Sequence, residues 1–256
     1  MSKGPGLGLK LYRVVYANRS VVEAIFPITI FPIMVMITNT RYAPRHDPMT
    51  RKQNVRVLIF TKAPTSGKVK TRLIPALGAE RAAALHEALI GHTLATTAQS
   101  GLALELWCYP DRRHPLFSQC ANRFPVILHD QVGADLGARM YHAANMASTV
   151  TPMILIGADC PTLTAAELRE TSIRLTMGND AVLGPALDGG YYLLGINRID
   201  RSLFEGIAWG SNSVLVETRR RLRALGWSWW EAAAKRDIDR PDDLAFLPKK
   251  LERVIG

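Results

Sequence analysis

The sequence predicts a three-layer α/β/α domain with a mostly parallel central sheet, and three observations carry that prediction. From Val55 onward, short apolar runs alternate with longer amphipathic segments, the pattern of strands covered by helices on both faces. The runs Val55–Phe60 and Met153–Ile156 are apolar throughout, as buried strands are. Each of these two runs also ends in residues that carry chemistry, and ligands of open α/β sheets bind at the carboxyl ends of strands.

The elements follow in order. Val55–Phe60 is the first strand, and Ala79–Gln99 a helix with Leu85, Leu89 and Leu94 at helical spacing. Leu102–Tyr109 reads as a strand, His114–Asn122 as a short helix and Val126–Leu128 as a short strand. Asp135–Ser148 is a helix with an acidic residue at its positive end and Leu136, Met140 and Ala144 on one face. After the Met153–Ile156 strand, Thr164 caps a helix whose third position is Glu167, a capping box. Asp180–Leu183 and Tyr191–Ile196 are strands around Asp188-Gly189-Gly190, and Asn212–Leu225 is a basic amphipathic helix. Trp227–Trp230 is a last strand-like run, and a terminal helix begins at Pro241.

The formal net charge of +10 is unevenly spread. Residues 1–54 hold eight Lys/Arg against two Asp/Glu, or +6, and residues 55–256 hold 24 against 20, or +4. The predicted domain is therefore only mildly basic, which suits an anionic small molecule better than a nucleic acid. The basic run Arg219–Arg223 reads as a solvated helix face. The apolar run Ala24–Ile37 spans 14 residues and contains Pro27 and Pro32, which argues against a membrane span of ~20 residues. A domain beginning at Met49, preceded by a poorly ordered or non-native extension over 1–48, fits better. Cys108, Cys120 and Cys160 form no C-x-x-C pair, which points to a reducing cytoplasm and to neither zinc nor disulfides.

The stretch from Phe60 to Leu73 carries Lys62, Lys68, Lys70 and Arg72 around Gly67, a composition suited to polyphosphate. It is not a Walker A loop, because that spacing is absent. Asp159 leaves the carboxyl end of the Met153–Ile156 strand and so belongs on the same edge as this loop. A carboxylate beside a phosphate loop makes sense with Mg²⁺ (or Mn²⁺) between them. Asp188 precedes two glycines, and reads equally as a turn former or a site residue. Asp239 stands before Pro241 as either a helix cap or a second metal carboxylate. Tyr191 and Tyr192 fit strand packing. Trp209, in a predicted loop, is placed to border an acceptor, and Cys160 reads as packing rather than as a nucleophile.

Together these segments resemble the nucleotide-diphospho-sugar transferase (GT-A) superfamily, and within it the bacterial DUF2064 group, called rSAM/selenodomain-associated transferase 1. The resemblance runs from about Val55 to Leu247. It rests on Lys62-Ala63-Pro64 with Gly67–Leu73, Asp135–Met140, Gly157–Pro161, Asp188–Gly195 and Asp237–Leu244. It implies a Mg²⁺-dependent transferase that moves a nucleotidyl group from an NTP, or a glycosyl group from a nucleotide-sugar, to a small-molecule acceptor. Lys62, Pro64, Gly67, Lys70 and Arg72 would then bind the nucleotide, Asp159 and Asp239 the metal, and Asp159, Asp188 and Lys70 would serve catalysis. The full G-x-G-T-R loop is missing, and Asp159 is followed by Cys160-Pro161 rather than by an Asp-x-Asp pair. A nucleotide-binding protein that keeps the fold without turnover is the alternative from another class, and oligomeric state stays open.

Overall fold

The computed structural model describes residues 55–147 and 152–255, so the expected extension over 1–48 lies outside the described residues. Seven strands form one sheet: β1 Arg56–Lys62, β2 Ala103–Tyr109, β3 Val126–Asp130, β4 Met153–Gly157, β5 Ala181–Pro185, β6 Tyr191–Ile196 and β7 Trp229–Glu231. Their spatial order is β3-β2-β1-β4-β6-β5-β7, and β6 alone runs against the rest. The helices are α1 Ile74–Leu77, α2 Ala79–Ala98, α3 Pro115–Arg123, α4 Leu136–Ala147, α5 Ala165–Thr176, α6 Val214–Ala224 and α7 Lys249–Glu252.

The continuous apolar runs are explained by burial on both faces. Along β1, Val57 and Ile59 join one core cluster with Ile90 and Leu94 of α2 and Leu168 and Leu175 of α5. Leu58, between them, joins the opposite cluster with Met140 and Ala144 of α4 and Leu215 and Leu222 of α6. Strand period two thus splits one run between two helical layers, and each such buried side chain contributes about 1.5–3 kcal/mol. The three-layer prediction holds.

A third, smaller cluster places the functional edge. Leu73, just after the basic loop, packs with Leu85 and Leu89 of α2 and with Ile238 and Leu247 near the C-terminus. One face of α2 therefore carries both the basic loop and the segment around Asp239.

Most predicted boundaries move by one or two residues. The capping box forms as read: Thr164 Oγ1 accepts from Glu167 N at 3.2 Å, and Glu167 Oε2 accepts from Thr164 N at 2.9 Å. The last strand is shorter than expected and shifted, because Trp227 is buried in the second cluster instead of extending the ladder. The terminal helix is broken into a 3₁₀ turn, Pro241–Phe246, and α7, with Pro248 between them. The arginines of the basic helix α6 are engaged within the protein. Arg219 forks onto Glu231 at 2.9 and 2.7 Å, Arg220 and Arg221 pair with Glu217, and Arg223 lies over the Trp229 ring. Among the described residues, no helix is long and apolar enough to cross a membrane.

The turn between β5 and β6 needs its glycine. Gly189 has φ +93°, and a Cβ there would lie 2.2 Å from the Asn212 carbonyl oxygen, whose chain leads into α6. Gly189→Ala is expected to destabilise the fold by about 1–3 kcal/mol, from backbone strain and displacement of the α6 start. Thermal melts test this, and an unchanged midpoint would show that the two segments move apart freely.

Candidate active site

Three chain segments converge at the carboxyl edge of the sheet. The basic loop continues from β1, and Gly67 at φ +76° turns it. A Cβ on Gly67 would meet no protein atom within 4 Å, so the positive φ and not crowding is what calls for glycine here. Lys70 follows in the left-handed region, φ 46° and ψ 40°, the one non-glycine there among the described residues. Asp159 leaves β4. The third segment extends beyond β7, held by Lys235 N donating to Pro185 O and by Tyr192 OH donating to Ala233 O at 3.2 Å. Ile238 N then donates to Asp159 O at 2.9 Å, which stitches Asp237-Ile238-Asp239 to the end of β4.

The carboxylates and the loop meet at Lys70. Its Nζ lies 2.6 Å from Asp159 Oδ1 and 2.8 Å from Asp239 Oδ1, and donates to Ile238 O at 2.7 Å. The Lys70 side chain is only 4% exposed, while Asp159 and Asp239 remain 38% and 37% open to the cavity. Burial opposes the charge on Lys70, but the two carboxylates outweigh it and hold the ammonium above the ordinary lysine range. Burial likewise opposes ionisation of Asp159, yet Lys70, with His86 and Lys62 adding to it, keeps that carboxyl below its usual range.

Helix capping does not explain Asp239. Asp243 Oδ2 takes that work, accepting from Asp239 N at 3.1 Å and Arg240 N at 2.8 Å. Asp188 Oδ1 accepts from Gly190 N at 2.9 Å, as a turn aspartate does, yet the residue is exposed and borders the same cavity.

That cavity has a volume of about 620 Å³, within the size range of small-molecule sites. Lys62, Lys68, Lys70, Arg72, Asp159, Asp188 and Asp239 all line it, whereas Pro64 and Gly67 do not. Lys62, Lys68 and Arg72 have no carboxylate or hydrogen-bond partner for their side chains among the described residues. Unpaired cations gathered in a concavity call for an anionic ligand. Met140, Tyr191, Trp209 and Val214 form an apolar wall at another part of the cavity, with Trp209 edge-on to Tyr191 at 6.3 Å between ring centres. Cys160 also lines it, but burial and then Asp237 push its thiol up to about 12, so it holds no thiolate at neutral pH.

Two residues that sequence reasoning did not place in the site are there. Asp237 and Asp239 flank the buried Ile238, and the Asp237 Oδ1 is buried without a hydrogen-bond partner among the described residues. The alternation Asp-Ile-Asp, with the apolar residue facing the core, was the available signal. His86 stands on the buried face of α2, where its Nε2 hydrogen donates to Lys62 O at 3.1 Å and its Nδ1 lies 3.9 Å from Asp159 Oδ1. Burial holds His86 below the ordinary histidine range despite Asp159. A lone histidine among leucines gave no spacing to find it by.

Burial, then Asp159, Asp239 and Asp188, raise the Asp237 carboxyl to about 8. A carboxyl that titrates near 4 unfolded and near 8 folded is protonated only in the native state between those values. Its contribution is full below about pH 4 and is lost as pH rises toward 8. Asp237→Asn is therefore expected to flatten the fall in melting temperature between pH 5 and 8 and to raise stability at pH 8, relative to wild type. A parallel pH profile for both proteins would show that Asp237 ionises without cost.

Comparison with known proteins fits this geometry. A family model described as an uncharacterized protein conserved in bacteria (DUF2064) matches residues 93–211. A candidate nucleotide-diphospho-sugar transferase from Desulfovibrio desulfuricans G20 is 30% identical and superposes with a TM-score of 0.68, over 73% of this chain and 83% of that one. A Methanothermobacter nucleotidyl transferase is 15% identical with a TM-score of 0.54, over 78% of this chain and 98% of that one, a likeness of fold alone. No curated protein sequence matches significantly. The fold is that of the nucleotide-diphospho-sugar transferase (GT-A) superfamily. Within it, the chain belongs to the DUF2064 family.

The residues present fit a divalent cation. Asp159 Oδ1 and Asp239 Oδ1 already converge on one cationic atom, the Lys70 ammonium, which marks a point that both can reach. Among the described residues, no three His, Cys, Asp or Glu side chains are arranged as a complete metal site. Two carboxylates completed by phosphate oxygens and water is the donor set that Mg²⁺ prefers.

Proposed function

We propose that this protein is a divalent-metal-dependent transferase that takes a nucleotide-activated donor and transfers part of it to a small-molecule acceptor. The observation that carries this reading is the single cavity in which unpaired Lys62, Lys68 and Arg72 face the carboxylates Asp159, Asp188 and Asp239. Lys62 and Lys68 supply point charges to the donor phosphates, and Arg72 supplies a planar fork. Asp159 and Asp239 would hold Mg²⁺ or Mn²⁺, which supplies neutralisation of the charge that develops on the phosphate oxygens. Asp188 keeps one oxygen on Gly190 N and leaves the other to accept a hydrogen bond from an acceptor hydroxyl, orienting it for in-line attack. The protonated thiol of Cys160 supports direct transfer without a covalent enzyme intermediate.

Three free lysines and arginines favour a nucleoside triphosphate over a sugar diphosphate, since the triphosphate carries more charge to offset. Pyrophosphate release when the protein is incubated with the four NTPs and candidate acceptors is the expected result. Release of nucleoside diphosphate from nucleotide-sugars would instead assign glycosyl transfer, and neither product would leave a nucleotide binder. This reading places the activity in residues 49–256. It also places the protein in the cytoplasm, where the buried thiols of Cys108, Cys120 and Cys160 stay reduced.

A further inference from the structure

We infer that Lys70 is a resident cation of the metal site, which a divalent ion must displace and which the donor phosphates draw away, so that metal and donor bind as one coupled event. The inference rests on the transferase reading for the identity of the donor, and on geometry for everything else.

An ammonium group has three hydrogens to donate. In Lys70 two of them have an acceptor, Asp239 Oδ1 at 2.8 Å and Ile238 O at 2.7 Å, and the ammonium also pairs by charge with Asp159 Oδ1 at 2.6 Å. In this arrangement the Lys70 ammonium is held between the two carboxylates and not turned to a phosphate. It also stands where a metal shared by both carboxylates would stand, and two cations do not occupy that point together. One ammonium already offsets half the charge of the carboxylate pair, so a divalent ion arriving alone gains less and must also expel the lysine.

The donor changes that balance. Lys62, Lys68 and Arg72, unpaired in the same cavity, set phosphates beside Lys70 and offer its ammonium new acceptors. Once Lys70 turns to the phosphates, Asp159 and Asp239 are free to bind the metal. By linkage, the metal strengthens donor binding by the same factor by which the donor strengthens metal binding.

The probe is Mn²⁺, followed by loss of the free-ion electron paramagnetic resonance signal, with and without a non-transferable α,β-methylene NTP. The Mn²⁺ complex of the free nucleotide is measured separately. Wild type is expected to bind Mn²⁺ at least tenfold more tightly with the nucleotide than without it. Lys70→Met, which keeps an unbranched stem and loses the charge, is expected to bind Mn²⁺ at least tenfold more tightly than wild type without nucleotide, and to keep only the smaller enhancement that phosphate ligation of the ion itself provides. Lys70→Arg, which keeps the charge, should resemble wild type.

A second measurement needs no variant. Reductive methylation of the wild-type lysines, read by mass spectrometry, should spare Lys70 in the free protein and label it once Mn²⁺ is bound without nucleotide. Equal Mn²⁺ affinity in wild type and Lys70→Met, or Lys70 still protected at Mn²⁺ saturation, overturns the exchange and leaves the transferase reading standing. Absence of Mn²⁺ binding in every protein, with or without nucleotide, overturns both.

Discussion

Asp159→Asn is expected to lower metal-dependent turnover by roughly two to three orders of magnitude while the fold survives. A metal acting on a phosphoryl oxygen contributes several kcal/mol to the transition state, and each ~1.4 kcal/mol is tenfold in rate. Asparagine keeps the size of the side chain and a carbonyl acceptor for Lys70, but removes one of the two charges that converge on the cation point. Lys70 would still hold Asp239 Oδ1 and Ile238 O, and the backbone bond from Ile238 N to Asp159 O is untouched. Nucleotide affinity without metal should hold or rise, because a negative charge beside the phosphates is gone. The check is a pair of thermal melts and rate measurements with and without Mg²⁺. A variant that melts lower, yet keeps its Mg²⁺-dependent stabilisation and rate, would make Asp159 a scaffold residue.

That prediction was half legible in the sequence. The apolar runs of β1 and β4 mark two strands, and the rule that ligands gather at their carboxyl ends puts Asp159 beside the basic loop. The contact between Lys70 and Asp159 at 2.6 Å bears out that placement. What lay beyond reach was which way each charge turns. The basic loop reads as phosphate-binding through Lys62, Lys70 and Arg72, but Lys70 takes a left-handed backbone and is buried against two carboxylates. Nothing local in Val69-Lys70-Thr71 announces that. It follows from Leu73 and Ile238 packing on the same face of α2, a contact between residues far apart in the chain. Asp237 and His86 were obscured in the same way, since a carboxylate acquires a raised pKa, and a histidine a site, only from neighbours that tertiary packing supplies.

Arg72→Ala is expected to weaken nucleotide binding by roughly 10- to 150-fold, the range for a lost charge-assisted hydrogen bond of ~1.5–3 kcal/mol. Its position separates it from Lys70. Arg72 is exposed, lines the cavity and has no partner among the described residues, so its removal strands no buried carboxylate and should leave the melting temperature of the free protein nearly unchanged. The loss should fall on donor affinity more than on the rate at saturation, because a contact made equally to the bound donor and to the transition state changes binding alone. Arg72→Lys should recover only part of the affinity, since an ammonium replaces the charge but not the planar two-point contact. Titration with NTP, followed by the shift in melting temperature, measures all three proteins on one scale. An unchanged affinity in Arg72→Ala would mean that Lys62 and Lys68 hold the phosphates instead, and would move the donor within the cavity without removing it.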